Sequence, residues 1–348
     1  MTTPTIPAGN LFMNATLYTG TNSSQTVTNG GTGTSFQPDF VWAKARNQAY
    51  THVLSDSIRG VGTQLFSNLT NAEQTNATYL SSFNTNGFSM AGGNTGTGSI
   101  NTSGDTYVAW QWKAGGTAVS NTSGTITSSV SANTTSGFSV VTYTGTGANA
   151  TVGHGLGVAP KMIITKQRSA VRSWGVYHAS LGAANAVYLD TTQASSATTN
   201  WNSTTPTSSV FSVGTGNEAN ASAGTYVAYC WAEIAGYSAF GSYTGNGSTD
   251  GPFVYLGFRP RFLMIKQTNS TNPWIIQDAG RSLYNVTGLS LYPNSSAAEE
   301  SSTIGASAFD FLSNGFKNRD AGSAQNGSGS TYIYMAFAEN PFKYALAR

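Results

Sequence analysis

The sequence predicts an all-β fold: three tandem copies of an antiparallel β-sandwich domain of roughly 100 residues, jelly-roll-like in outline. Three observations predict it. One pattern runs through the chain three times. The composition is that of tightly turned strands. Apolar residues recur with period 2, and no stretch of helical period is long enough to predict a helix.

The repeat is carried by three signatures. Each copy opens with Tyr-Thr-Gly, at 18–20, 143–145 and 243–245. Each then has a proline followed six residues later by a lysine: Pro38 and Lys44, Pro160 and Lys166, Pro260 and Lys266. Each closes on an aromatic strand, TYVAWQW at 106–112, TYVAYCW at 225–231 and TYIYMAF at 331–337. The copies start 125 (143 − 18) and 100 (243 − 143) residues apart, which is domain size and too long for a solenoid coil. The boundaries follow: repeat one at 1–114, a Ser/Thr/Gly-rich linker at 115–136, repeat two at 137–236 and repeat three at 237–348. Ile126 and Val130 hint at a short extended stretch inside the linker. Glu233–Gly236 runs directly into Tyr237, so the last two repeats are expected to pack rigidly.

Within each copy the elements read in order. A residue before proline is biased to extended backbone, and proline tolerates the first position of a strand. Pro38, Pro160 and Pro260 are therefore expected to start equivalent strands, with Phe40, Trp42 and Lys44 on one face in copy one and Phe262, Met264 and Lys266 in copy three. Asn86-Gly87 and Asn314-Gly315 are matched hairpin signals. The closing strand is apolar on both faces. Trp112, Trp231 and Phe337 end its bulky side, and Ala109, Ala228 and Ala336 lie on its smaller side. One sandwich core covers only one face of an outer strand, so the second face predicts burial against another sheet or a neighbouring chain.

The polar positions 6, 18 and 21 residues past each proline are the most orderly. They are Lys44, Asp56 and Arg59 in copy one, Lys266, Asp278 and Arg281 in copy three, and Lys166, His178 and Leu181 in copy two. A hairpin turning near the midpoint predicts a cross-strand Lys44–Asp56 and Lys266–Asp278 pair, with the arginine one turn on. Joint loss of Asp and Arg in copy two suits a structural ion network. Glu73 and Glu299 also align, when LFSNLTNAE (65–73) is laid on LYPNSSAAE (291–299).

Charge and chemistry narrow the function. Charged residues are 9% and the net charge is +2, so there is no electrostatic footprint for nucleic acid or anionic membrane. No apolar run approaches the length of a membrane helix. The opening MTTPTIPAGN has neither the charged nor the apolar region of a secretion signal, and none is expected there. The single Cys230 excludes an intramolecular disulfide and reads as a buried structural thiol. His154, in Gly153-His-Gly-Leu-Gly157, reads as part of a glycine-rich connection. The paired acids that glycoside cleavage needs do not converge within one copy. The expectation is no catalytic residue, no cofactor and no metal site.

Several stretches also resemble a known family. GFSVVTYTGTGANATVGHGLGVAPKMIITKQRS (137–169), WKAGGTAVSNTSGTITSSVSANTTSGF (112–138), TYVAYCWAEIAGYSAFGSYTGNGSTDGPFVYLGFRPRFLMIKQT (225–268), FLSNGFK (311–317) and TYIYMAFAENPFKYALAR (331–348) are similar to a repeat domain of unknown function in tailed-phage virion proteins, many marine, often labelled tail or fibre proteins. The resemblance covers nearly everything from Tyr18 to Arg348. It implies a non-enzymatic virion structural protein on the tail or outer particle surface, and no catalytic residues. A tail fibre or appendage with a host-glycan contact role is the first reading. A capsid decoration or head-fibre protein is the second, and a polysaccharide depolymerase the third. Expected partners are other virion proteins and further copies of the chain, a homotrimer being what resemblance to phage fibres implies.

Overall fold

A computed structural model describes residues 9–30, 35–76, 78–93, 95–301 and 308–338. The stretches 1–8 and 339–348, on which the sequence reading also drew, lie outside the described residues. The fold is all-β and its strand pairs are antiparallel. Helix among the described residues is confined to one 3-10 turn, Gly9–Leu11, and two four-residue turns, Asn217–Asn220 and Ser323–Asn326.

The same strand order occurs three times, in sets called units one, two and three below. In each, an opening strand pairs with the closing strand, the closing strand with the lysine-bearing strand, and that strand with the next in sequence. Unit one runs Met13–Thr19, Thr106–Trp112, Phe40–Ala45, Val53–Asp56. Unit two runs Phe138–Thr144, Thr225–Trp231, Met162–Gln167, Gly175–His178. Unit three runs Ser238–Thr244, Thr331–Ala338, Pro260–Gln267, Trp274–Asp278. A smaller second sheet faces the small-residue side of each: Gln25–Thr28, Gly87–Met90 and Leu80–Asn84 in unit one, Ala150–Gly153 and Val210–Val213 in unit two, and Phe253–Tyr255, Gly315–Asn318 and Phe309–Leu312 in unit three. Pro260 begins its strand, whereas Pro38 and Pro160 stand two residues before theirs.

Each unit is thus a two-sheet sandwich, but the three are not separate sandwiches in a row. The small faces pack inward within a unit: Val41, Ala43, Val53, Phe88, Met90 and Ala109 form one core, and Val141, Ile163, Tyr177, Phe211, Ala228 and Cys230 another. The bulky faces of all three units meet in one common core. Trp112 lies 6.1 Å from Trp231 and 5.7 Å from Phe337, ring centre to ring centre, and Phe40 stacks on Tyr229 at 4.2 Å. The second apolar face of each closing strand is therefore covered inside the chain. The neighbour that covers each such face is another unit of the same chain, so these faces do not call for a second chain.

Two further expectations change. The segment expected as a linker, 115–136, contains the strands Val119–Asn121 and Ser128–Asn133, which extend the main sheet of unit two beyond Phe138–Thr144. Val130 is buried and pairs with Val141, and Ile126 bridges to Val152. A segment whose backbone joins a sheet and whose apolar side chains enter a core is not a spacer. The Asn-Gly hairpins form, but their two-residue loops are Thr85-Asn86 and Ser313-Asn314, and glycine opens the returning strand. A Cβ on Gly87 or Gly315 would sit 2.0 Å from the backbone oxygen of Val27 or Val254. Close approach of the third strand requires glycine at both places.

Candidate functional site

Eight of the nine predicted positions are buried, Leu181 of unit two being half-buried, and they line the junctions between units. The cross-strand Lys–Asp pairs are absent. Asp56 stands opposite Phe40 and Asp278 opposite Phe262, so the residue facing +18 is +2, not +6. Register, fixed by hydrophobic alternation, sets the partner. The lysine Nζ groups instead donate to backbone carbonyls: Lys44 to Ala45 and Gln48, Lys166 to Gln167, Arg172 and Thr70, Lys266 to Gln267 and Thr192. Thr70 belongs to unit one and Thr192 to unit two, so Lys166 and Lys266 each bind the preceding unit. Burial pushes Lys44 down to about 7, and Lys166 and Lys266 down to about 8.

Asp and Arg pair with each other, as the joint loss in unit two suggested. Arg59 Nε meets Asp56 at 2.5 Å, and Arg281 Nε meets Asp278 at 2.6 Å. Each arginine reaches on to the aligned glutamate, Arg59 to Glu73 and Arg281 to Glu299, both at 3.0 Å. Each glutamate then crosses to the next unit. Glu73 accepts two hydrogen bonds from Arg168 at 2.9 and 2.8 Å, and Glu299 two from Arg46 at 2.9 and 2.8 Å. Each aspartate crosses as well: Tyr229 donates its hydroxyl to Asp56 at 2.9 Å, and Trp110 its Nε1 to Asp278 at 3.0 Å. Among the described residues the junction of units two and three carries no such ion pair. Thr268 takes the arginine position there, and His178 Nε2 lies 3.1 Å from the Tyr334 carbonyl.

A set of backbone bonds makes the arrangement a closed ring. Glu73 N donates to Arg168 O (one to two), Ser195 N to Thr268 O (two to three) and Glu299 N to Arg46 O (three to one), at 2.8, 2.8 and 2.7 Å. The contact repeats with the same sense three times and returns to its start. The indoles reinforce it: Trp174 Nε1 donates to Phe66 O and Trp274 Nε1 to Tyr188 O, while His52 holds the matching position in unit one.

Electrostatics follow from this packing. Burial alone would raise the Asp278 carboxyl, but the Arg281 guanidinium and the Trp110 donor outweigh it and hold it below its usual range. Burial likewise opposes ionisation of Glu73, and Arg168 and Arg59 together bring it down. Burial drives His178 down to about 4 and His52 well below the usual histidine range, so both rings are neutral at pH 7. Burial raises the Cys230 thiol far above its ordinary value, which makes it a poor nucleophile. The Glu73 and Glu299 carboxylates are occupied by guanidinium groups, and among the described residues no group of three or more His, Cys, Asp or Glu is placed to hold a metal ion. No helix among them is long and apolar enough to cross a membrane.

Two matched sets lie outside the predicted site residues, and one of them includes Arg168, which the basic run Lys161–Lys166–Arg168–Arg172 suggested as a solvated edge. Asn101, Asn220 and Asn326 each accept the backbone N–H of the residue after the Tyr-Thr-Gly turn (Thr21, Thr146, Asn246) and donate to a second carbonyl of that loop. Their signal is a fixed spacing, five residues before Thr106, Thr225 and Thr331. Arg46 and Arg168, eight residues past Pro38 and Pro160, carry the junctions, and their signal was the same proline ruler. The Tyr18, Tyr143 and Tyr243 rings stack on Tyr107, Tyr226 and Tyr332 at 5.1, 5.2 and 4.8 Å, and their hydroxyls donate to the carbonyls just before these asparagines.

No curated protein matches this chain. A family described only as a domain of unknown function, DUF7483, matches residues 8–341 in one continuous span that takes in all three units, and the chain belongs to that family.

Proposed function

We propose that the protein is a non-enzymatic structural component of a tailed-phage particle, a tail fibre or similar appendage that works by contact with the host surface. The observation that carries this reading is the closed ring of junctions. Among the described residues most of the buried charge serves to lock one unit to the next, and a chain built this way is a stiff body. The phage assignment itself rests on the resemblance of stretches such as 137–169 and 225–268 to virion repeat domains. A capsid decoration protein would use the same rigid body. Further copies of the chain are proposed as partners on the strength of the fibre resemblance alone, since the apolar faces are covered within one chain.

The test locates the chain in a density map of the whole particle and measures binding of the purified protein to host cells. Density at the tail with competition against phage adsorption is the expected result. Density on the capsid with no effect on adsorption moves the assignment to decoration. Release of reducing ends from host polysaccharide, lost in Glu73→Gln or Glu299→Gln, would overturn the non-enzymatic reading.

A further inference from the structure

Unit two differs from its neighbours at one place on its sheet. In unit one the cross-strand row Ala109, Ala43, Val53, Phe66 is apolar and buried. In unit three the row Tyr334, Ile265, Ile275 is apolar as well. In unit two the row reads Ala228, Thr165, Gly175, Tyr188. Where valine and isoleucine stand in the other units, Gly175 has no side chain. A Cβ there would lie 3.3 Å from Asn200 Nδ2 and 3.4 Å from Glu218 Cβ, so the glycine admits a carboxamide and the stem of a carboxylate in place of an aliphatic group.

Above this row lies a cleft of about 420 Å³, lined by Tyr188, Ala197, Thr198, Thr199, Asn200, Gly216 and Glu218. That volume is within the usual range of small-ligand sites, about 300–1,000 Å³. Asn200 is 1% exposed, and its Nδ2 is buried without a hydrogen-bond partner. Buried amides are normally satisfied, so an unpaired donor at the edge of a cleft marks a missing acceptor. The carboxamide packs between Gly175 and Gly216, and Gly216 lines the cleft.

We propose that this cleft binds one neutral pyranose unit of a glycan. Tyr188 is partly exposed and supplies a ring face for the C–H face of the sugar. Its backbone is anchored by Trp274 Nε1 of unit three, so the platform is fixed. The Asn200 carboxamide and the Glu218 carboxylate supply the mixed donor and acceptors that vicinal hydroxyls need, while the Thr198 hydroxyl, which accepts from Asn200 N, holds the Asn200 backbone in place. Glu218 is the charged side chain in the lining, so the charge at the mouth is negative and an anionic sugar is disfavoured. Ala197 is the only aliphatic side chain in the lining, which leaves no anchor pocket for a peptide. In units one and three Val53 and Ile275 hold the place that Gly175 leaves open in unit two.

The site deepens the contact role proposed above, and its test is independent of particle and host. The isolated full chain is titrated with glucose, galactose, mannose and N-acetylglucosamine, and binding is followed by saturation-transfer and chemical-shift NMR. Saturable binding of at least one of these sugars is expected. Asn200→Ala and Glu218→Gln should each weaken it about tenfold, the effect of one lost polar contact. Gly175→Val, which restores the residue of unit one, should abolish it. Tyr255→Ala, an exposed aromatic of unit three, should leave it unchanged. Glu218→Gln changes a partly exposed side chain and keeps the result readable if Gly175→Val fails to fold. No saturable binding, or binding that survives both Asn200→Ala and Glu218→Gln, overturns the proposal. Sugar binding without host-cell binding would retain the site and reject the host-contact role.

Discussion

Replacing Glu73 with alanine breaks the junction of units one and two at its centre. Glu73 accepts two hydrogen bonds from Arg168 and one from Arg59. The two halves differ in worth. The Arg168 side chain is 26% exposed, so water replaces much of what it loses, and its share is about 0–1 kcal/mol. The Arg59 side chain is fully buried, and its NH1 would lose its acceptor. An unmet buried donor costs about 1–3 kcal/mol. Arg59 stays paired with Asp56, which keeps the loss below the ~3–5 kcal/mol of an isolated buried charge. The expected destabilisation is therefore about 1–3 kcal/mol. Chemical denaturation of the full chain measures it, and Arg168→Ala should cost about 1 kcal/mol or less. The double variant should cost less than the sum of the two, because both remove the same bonds. A Glu73→Ala chain within about 0.5 kcal/mol of the parent would refute the argument that the junction is held by charge.

Other outcomes follow from the same packing. The Glu73 and Asp278 carboxyls lie below their ordinary values of 4.5 and 3.8, so their stabilisation is present above those values and lost as pH falls through the lower folded ones; Glu73→Gln should flatten the acid limb of a pH–stability curve. Burial puts Lys44 at about 7 in the folded chain against 10.5 ordinarily, so the unfolded chain binds more protons between those values; stability should rise from pH 7 to 9, before thiol and tyrosine ionisation enter, and Lys44→Met should reduce that slope. Trp110→Phe keeps the ring contact with Phe262 but removes the donor to Asp278, and a loss of about 1–3 kcal/mol in thermal or chemical unfolding is expected. Residues 9–114 expressed alone would expose Phe40, Trp42, Trp110 and Trp112, and light scattering should report association or aggregation in place of a stable monomer.

The sequence by itself determined the all-β fold class, the threefold recurrence of the strand signatures and the identity of the polar ruler. Those features are local: period-2 alternation, turn glycines and a fixed count of residues from each proline to its lysine, aspartate and arginine. It also flagged the closing strands as apolar on both faces, which is a property of each strand alone. Only the tertiary structure decided what covers the second face. Period and burial are the same whether the covering sheet comes from the same chain or another, so Trp112, Trp231 and Phe337 carry no mark of meeting one another. Partners of the charged groups were equally hidden. Lys44 and Asp56 looked paired by spacing, but register placed Phe40 opposite Asp56, and the true bonds span 95 residues from Glu73 to Arg168 and 253 from Arg46 to Glu299. The cleft of unit two is a further case. Gly175 reads in sequence as one of 40 glycines, and its meaning appears only when the row beside it holds Val53 in one unit and Ile275 in another. Contacts made across the ring are set by how whole sheets stack, and that information is spread over all three units at once.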